Sequence, residues 1–405
     1  MRKGRFIVIV LDSFGVGAMA DVPKVRPADV NSNTALHIIE KKPEIQLPTL
    51  VQLGLMNTIG SESGRLKISK DANWGTSNLG HQGADSFLGH QEIMGTTPPI
   101  PLNQAFNEMI NQVEKHLVDL NYHVRRVGEV NEPDILVVNE SATVGDNLET
   151  DLGQVFNVSA ALDLMPFLEV KQLGEAVREI VKVSRVIAFG GENITLDDLL
   201  AARKVVDDKF AGVDAPKSGV YKKGYQVIHL GYGIDKNVQI PTILDRAGIP
   251  VILAGKVADI VQTDSEYLYP GVDSDELFDE FIQALVEQPV GFFCLNIQET
   301  DLAGHAEDVN RYAERLEAAD KRIGELIPLL NNNDLLIVTA DHGNDPTIGH
   351  SQHTRERVPL LVWYNGLQGF KLGERSTMAD TAATVADYFG VKSPQHGESY
   401  LNLMV

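Results

Sequence analysis

Leu335-Leu336-Ile337-Val338-Thr339-Ala340-Asp341-His342-Gly343-Asn344 is an apolar run that ends in an acid, an imidazole and a glycine. The run Leu335–Thr339 suits a strand buried on both faces, as in a parallel sheet covered by helices. Sites in such proteins form at the carboxyl ends of the strands. His350 and His353 follow within the same fifteen residues, Thr339–His353, together with Asp345. So many ligand-type side chains directly after a buried strand have little structural reason to be there, and they point to a metal centre.

Working outward, runs of the same kind occur at Phe6–Leu11, Gln226–Leu230, Pro250–Leu253, Phe292–Ile297 and Leu360–Trp363. Helical periodicity lies between some of them, at Asp275–Glu287 and Asn310–Leu330. Buried strands alternating with helices predict an α/β fold, a mostly parallel sheet with helices on both faces. The middle of the chain has a different texture. Strand candidates at Tyr122–Val127, Ile135–Val138 and Val186–Ala188 alternate with helices at Leu102–Val118 and Val170–Val181. This block begins at the stiff Thr97-Pro98-Pro99-Ile100-Pro101 and closes near Ala215-Pro216-Lys217-Ser218-Gly219. It is expected to be an α+β cap domain, 98–223, inserted into a core formed by 1–97 and 224–405.

The bulk numbers restrict the function. At 405 residues the chain is long enough for two cores, and 43% hydrophobic with 22% charged residues is the balance of a folded globular protein. Fifty-six acids against 35 bases give a formal charge of -21, which excludes nucleic acid or an anionic membrane as a partner held by bulk electrostatics. An anionic substrate has to be held by local cations. The one cysteine, Cys294, lies inside an apolar run and reads as a buried small hydrophobe; no disulfide and no cysteine metal site is possible. Met1–Asp12 has a basic start, but its apolar run is short and ends in Asp12, so it reads as a first strand rather than a signal peptide. No apolar stretch reaches the roughly 20 residues of a membrane span, and a cytoplasmic protein is the default expectation.

Three strand ends carry aspartate: Asp12, Asp301 and Asp341. His305 follows Asp301, His342 follows Asp341, and His353 lies further on. Taken singly, Asp12 could be a helix cap, and Asp301 with His305 a solvated turn. Together, three acids and three histidines supply three ligands to each of two divalent ions. Two such ions about 4 Å apart clamp a transferring phosphoryl group. Spacing alone does not choose between His350 and His353. Upstream, in Gly83-Ala84-Asp85-Ser86-Phe87-Leu88-Gly89-His90-Gln91-Glu92, Ser86 stands at or just before the start of a short helix, where negative charge is favoured. Alone it would be an ordinary cap residue. Beside two metal ions it is a candidate nucleophile.

With these residues in hand, the chain resembles phosphopentomutases, within the alkaline phosphatase superfamily; cofactor-independent phosphoglycerate mutases are more distant. The likeness is strongest in Val10–Gly17, Gly89–Gly95, Thr339–Pro346, and His353-Thr354-Arg355-Glu356 with Val358–Leu361. It implies an alkaline-phosphatase-like core, one metal on Asp12, Asp341 and His342, and a second on Asp301, His305 and His353. Ser86 would bridge both ions as phosphoryl acceptor. The late ligand is implied to be His353, because it precedes Thr-Arg-Glu. Lys256 matches a lysine near the phosphate site. Mn²⁺ is implied ahead of Zn²⁺ or Mg²⁺, with a sugar bisphosphate as an activator to be tested.

The implied activity is an intramolecular phosphotransferase, a mutase of pentose or nucleoside phosphate metabolism. It would act on a small sugar phosphate through phospho-Ser86 and a bisphosphate intermediate. A metal-dependent phosphatase or phosphodiesterase on the same site is the alternative, and a non-catalytic sugar-phosphate sensor a third reading. The sequence departs from the family in places. Ser86 stands where threonine is usual, and Asp301 to His305 is one residue shorter than in phosphopentomutases. In the cap, Phe189 follows a strand that carries an arginine in the family, Lys217 stands for a second arginine, and an acid is replaced within Val158–Leu162. Lys and Arg are not equivalent at bidentate phosphate sites, so the cap residues are where the substrate is expected to differ.

Overall fold

The computed structural model describes residues 4–149 and 152–404. The chain forms two units, Met1–Pro98 with Asp235–Val405, and Pro99–Ile234. The first is built on an eight-stranded sheet in the order Tyr267–Tyr269, Val251–Ala254, Gly291–Ile297, Arg5–Leu11, Leu335–Thr339, Val358–Tyr364, Asn73–Ser77, Lys371–Arg375. The first five strands run parallel, and Val358–Tyr364 is antiparallel to both its neighbours. Every residue of Arg5–Leu11 and of Leu335–Thr339 is buried, odd and even positions alike, so both faces of the sheet centre are covered. The helix Ser274–Glu287 buries Leu277, Phe278, Phe281, Ala284 and Leu285, one stripe at helical spacing, and Asp273 caps it by accepting from Asp275 N and Glu276 N.

Strand register places the site. Val10 pairs with Asn296 on one side and with Thr339 on the other, so Asp12, the residues after Ile297, and Asp341 leave the sheet at one edge. Because Val358–Tyr364 runs antiparallel, the segment before it returns to that same edge. An isolated bridge from Gly343 to Thr354 ties the two segments together and brings His353 in.

The second unit has its own six-stranded sheet, ordered Gln226–Gly231, Arg185–Gly191, Val155–Ala161, Ala142–Asp146, Ile135–Val138, Val124–Val127. Only Val155–Ala161 with Arg185–Gly191 is parallel; the other pairs are antiparallel. The two-residue alternation of strands divides the interior. Leu136, Val138, Phe156 and Val158 pack with the helices Phe106–Asp119 and Phe167–Ile180, while Ile135, Val155 and Ala161 pack with Leu199, Ala211 and Val213. The expected close of this unit at 223 needs correction. The run at Gln226–Leu230 is not a core strand. It pairs antiparallel with Arg185–Gly191, and the unit extends to Ile234. Three core strands, Asn73–Ser77, Tyr267–Tyr269 and Lys371–Arg375, were not foreseen, because none carries an apolar run of four or more residues. Cys294 is fully buried, as expected, and burial pushes its thiol up. No helix among the described residues is long and apolar enough to cross a membrane.

Candidate metal centre and nucleophile

Asp12 is fully buried, directly after the central strand. The next residue, Ser13, has a φ of 68°, a conformation that non-glycine residues rarely adopt. The turn it makes aims the Ser13 N–H at Asp341 Oδ1, 2.9 Å away, and Tyr312 Oη donates to the Ser13 carbonyl at 3.0 Å. Thr300 Oγ1 donates to the Asp12 carbonyl at 2.7 Å. Asp301 and His305 do not lie on a turn. They are four apart on the helix Glu299–His305, which puts both on one face, with Asp301 Oδ1 3.4 Å from His305 Nε2.

Two groups of donor atoms emerge. Asp12, Asp341 and His342 each offer an atom within 4.8 Å of the others, and so do Asp301, His342 and His353. His342 Nε2 lies 3.1 Å from Asp341 Oδ2 and 3.7 Å from Asp12 Oδ1. His305 joins the second group, its Nε2 2.9 Å from His353 Nε2, and His353 Nε2 is 3.3 Å from Asp301 Oδ1. His342 stands between the groups, its ring stacked on that of His353 at 3.9 Å. His350 is held elsewhere, with Nε2 3.4 Å from Asp29 Oδ1.

The residues fit divalent cations. The Nδ1 atoms of His305, His342 and His353 each contact a carbonyl oxygen, of Ser351 (2.7 Å), Gly343 (2.9 Å) and Ala84 (2.8 Å). A carbonyl only accepts, so each Nδ1 carries a proton and each Nε2 is left as the ligand atom. His305 and His353 then face each other with two lone pairs, an arrangement that needs a cation between them. Asp12 Oδ1 and His342 Nε2 are buried without a hydrogen-bond partner. The electrostatics agree. Three carboxylates converge here, and the one ammonium among them is Lys256, whose Nζ is 2.6 Å from Asp12 Oδ2 and 3.4 Å from Asp301 Oδ2. Burial and the Asp341 carboxylate push Asp12 up to about 7. Burial also acts upward on Asp301 and Asp341, but Lys256 holds the first well below the usual range, and the His342 and His90 rings hold the second there. Burial lowers His342, yet Asp341 outweighs it and raises the imidazole to about 9. In the metal-free protein a proton thus stands in for the missing positive charge.

Ser86 is the first residue of the helix Ser86–Ile93, capped by Asp85, which accepts from Leu88 N. Its Oγ donates to Asp341 Oδ2 at 2.8 Å and lies 3.1 Å from Lys256 Nζ. Gly89 on the same helix permits this closeness, since a Cβ there would stand 2.7 Å from the Asp341 carbonyl oxygen. Gly255 has a φ of 76° and a Cβ position 2.3 Å from the Asn296 carbonyl oxygen, so only glycine makes the turn that delivers Lys256.

Two residues of the centre escaped sequence reading. Asn296 donates to Asp12 Oδ2 at 3.1 Å and to His90 Nε2 at 2.9 Å, while His90 Nδ1 donates to the Ser86 carbonyl at 2.9 Å. An amide inside the apolar run Phe292–Ile297 was the available clue. In the second unit, Lys217 is largely exposed and pairs with Asp214 at 3.0 Å. Phe189 is buried and stacks on Tyr221 with centroids 6.2 Å apart.

Comparison with known proteins places the whole chain in a family. The profile of the Metalloenzyme superfamily matches residues 4–393. A phosphopentomutase of Caldanaerobacter subterraneus subsp. tengcongensis is 32% identical, over 98% of this chain and 97% of that protein. The chain belongs to the phosphopentomutase family of that superfamily. With that family it is an isomerase of the mutase type. A second phosphopentomutase, from Clostridioides difficile, is 29% identical over 98% of each chain. Among solved structures, the alkaline phosphatase of the Antarctic bacterium TAB5 is 13% identical, covers 96% of this chain and 99% of its own, and has a TM-score of 0.38.

Proposed function

We propose that this protein is a metal-dependent phosphosugar mutase that moves a phosphoryl group within a sugar phosphate, with Ser86 as the covalent carrier. The observation that carries this reading is the position of Ser86 Oγ, 2.8 Å from the ligand oxygen Asp341 Oδ2 and 3.1 Å from Lys256 Nζ. Asp12, Asp341 and His342 would hold one divalent ion and Asp301, His305 and His353 the other, with Mn²⁺ proposed for both. Bound there, the ions would supply charge neutralisation for the phosphoryl group.

The chain's own residues do the rest. A phosphoryl group on Ser86 sits at a helix N-terminus beside the Lys256 ammonium, both of which favour its charge. A hydroxyl of the bound sugar monophosphate attacks the phosphorus. The new P–O bond forms as the bond to Ser86 Oγ breaks, and the hydroxyl's proton ends on Oγ. The sugar bisphosphate turns and returns its other phosphoryl group to Ser86 by the reverse step. Lys217 and Phe189, where the family's arginines are missing, are proposed to set the choice of sugar.

A phosphatase on the same residues is the second reading, and the 44% exposure of the His305 side chain, which gives water access, favours it. Ser86→Ala tests the carrier. Incubated with Mn²⁺ and a sugar bisphosphate, the wild type should gain one phosphoryl mass located on Ser86, and the variant none. A phosphorylated Ser86→Ala protein sinks the assignment.

A further inference from the structure

The stretch Leu79–Ala84 leads into Ser86, and one side chain collects its carbonyls. Arg355 Nη1 donates to the carbonyls of His81 (2.7 Å) and Gly83 (2.8 Å), and Nη2 to that of Leu79 (3.2 Å). The next carbonyl, of Ala84, takes the Nδ1–H of His353 at 2.8 Å. The guanidinium is aimed by Asp21, whose carboxylate lies 3.0 Å from Nε and 2.9 Å from Nη2. Arg355 is 5% exposed. From the other side Glu92, on the Ser86 helix, accepts from the N–H groups of Gly80 (2.8 Å) and His81 (3.0 Å). The backbone before the nucleophile is therefore held by its oxygens to the segment that carries His353, and by its N–H groups to its own helix.

We propose that Arg355 is a positioning residue for phosphoryl transfer at Ser86. Its guanidinium locks the Leu79–Gly83 backbone to the segment bearing His353, two residues away, so that nucleophile and metal ligand are set as one piece. This rests on the reading of Ser86 as the phosphoryl carrier. Arginine is required because its planar fork reaches three separate carbonyls and a carboxylate at once. A lysine ammonium donates from a single atom and cannot span Leu79, His81 and Gly83. A fold that needed only a buried cation would accept lysine; a fold that needs the loop in register would not.

The test compares the full-length wild type, Arg355→Lys and Asp21→Asn. Three properties are followed: the rate of Ser86 phosphorylation by a sugar bisphosphate, the steady-state kcat and KM with a sugar monophosphate, and hydrogen exchange of the metal-free proteins. In Arg355→Lys, phosphorylation and kcat should fall about 100-fold with KM changed less than about threefold, the pattern of a misplaced reacting group. Exchange should quicken at amides 79–85 and stay unchanged in the strands. Asp21→Asn, which keeps the guanidinium but frees its orientation, should show the same local quickening and a loss of about tenfold. It decides the matter if Arg355→Lys does not fold. Wild-type rates in the folded variant, or faster exchange spread over the whole first unit, would overturn the proposal. No phosphoryl group on wild-type Ser86 would instead remove the carrier assignment, and the role of Arg355 with it.

Discussion

Asp12 combines two properties that rarely go together, complete burial and no hydrogen-bond partner for one of its oxygens. Burial and Asp341 push its carboxyl up to about 7, while Asp341 attraction raises His342 to about 9 against its burial. A metal ion needs the carboxylate and the neutral imidazole, so it must displace the protons that these groups hold. Affinity for the Asp12–Asp341–His342 site should therefore rise with pH. The expected slope is about tenfold per pH unit between about 7 and 9, where one proton leaves, and about a hundredfold per unit just below 7, where two do. A metal titration followed by calorimetry from pH 6 to 9 measures this, and a flat profile contradicts it. At this scale the candidate ligands were legible because acids and imidazoles at strand ends have a narrow chemical meaning. Asn296 and Arg355 were not. They carry neither a carboxylate nor an imidazole, and their partners, Asp12 and the carbonyls of Leu79, His81 and Gly83, are hundreds of residues away in sequence, so only the fold reveals them.

The helix Ser86–Ile93 shows how an element serves the site. It has little amphipathic character because all eight of its residues are buried. Its approach to the Leu335–Thr339 strand end is set by Gly89. Gly89→Ala must push the helix away from Asp341, and with it Ser86 Oγ. A displacement of that order should lower kcat by about 100-fold while the variant still folds; undiminished turnover would mean that the close approach is not needed. Strands buried on both faces were legible where the run is unbroken, as for Phe6–Leu11 and Leu335–Thr339, but not for the equally buried Ala142–Asp146 and Val155–Ala161, whose apolar residues are interrupted by Thr143, Asn157 and Ser159. Which sheet a strand joins was not. Gln226–Leu230 has the same apolar texture as a core strand, yet its partner is Arg185–Gly191, and pairing is decided by packing rather than by local sequence. Asn73–Ser77 and Lys371–Arg375 gave no apolar signal, since Gly75 and Gly373 replace side chains where their backbones pair.

Across the whole molecule, the chain interrupts its first unit with an independent core and then completes it. Asp12 and Ser86 precede the second unit, and Asp301, His305, Asp341, His342 and His353 follow it. All the proposed ligands thus belong to one unit. Metal binding should stabilise that unit alone. At a hundred times the dissociation constant each ion adds about 2.7 kcal/mol, or roughly 5–10 °C in Tm. Hydrogen exchange with and without Mn²⁺ should show new protection within 4–98 and 235–404 and none within 99–234; equal protection of both would show that the ligand assignment is incomplete. The charge of -21 fits the same picture, because an acidic protein proposed to handle phosphate esters has to concentrate positive charge at one place. Composition made that need legible, whereas the choice of sugar is proposed to rest on second-unit side chains such as Lys217 that no spacing rule covers.

The most direct test of the account is phosphorus NMR of the Mn²⁺-loaded protein with pentose and hexose monophosphates and a trace of sugar bisphosphate, each sample stripped of metal before recording. One phosphoester resonance should give way to another at constant total ester, with no inorganic phosphate, and Ser86→Ala should abolish the exchange. Inorganic phosphate as the sole product would contradict this and make the protein a phosphatase.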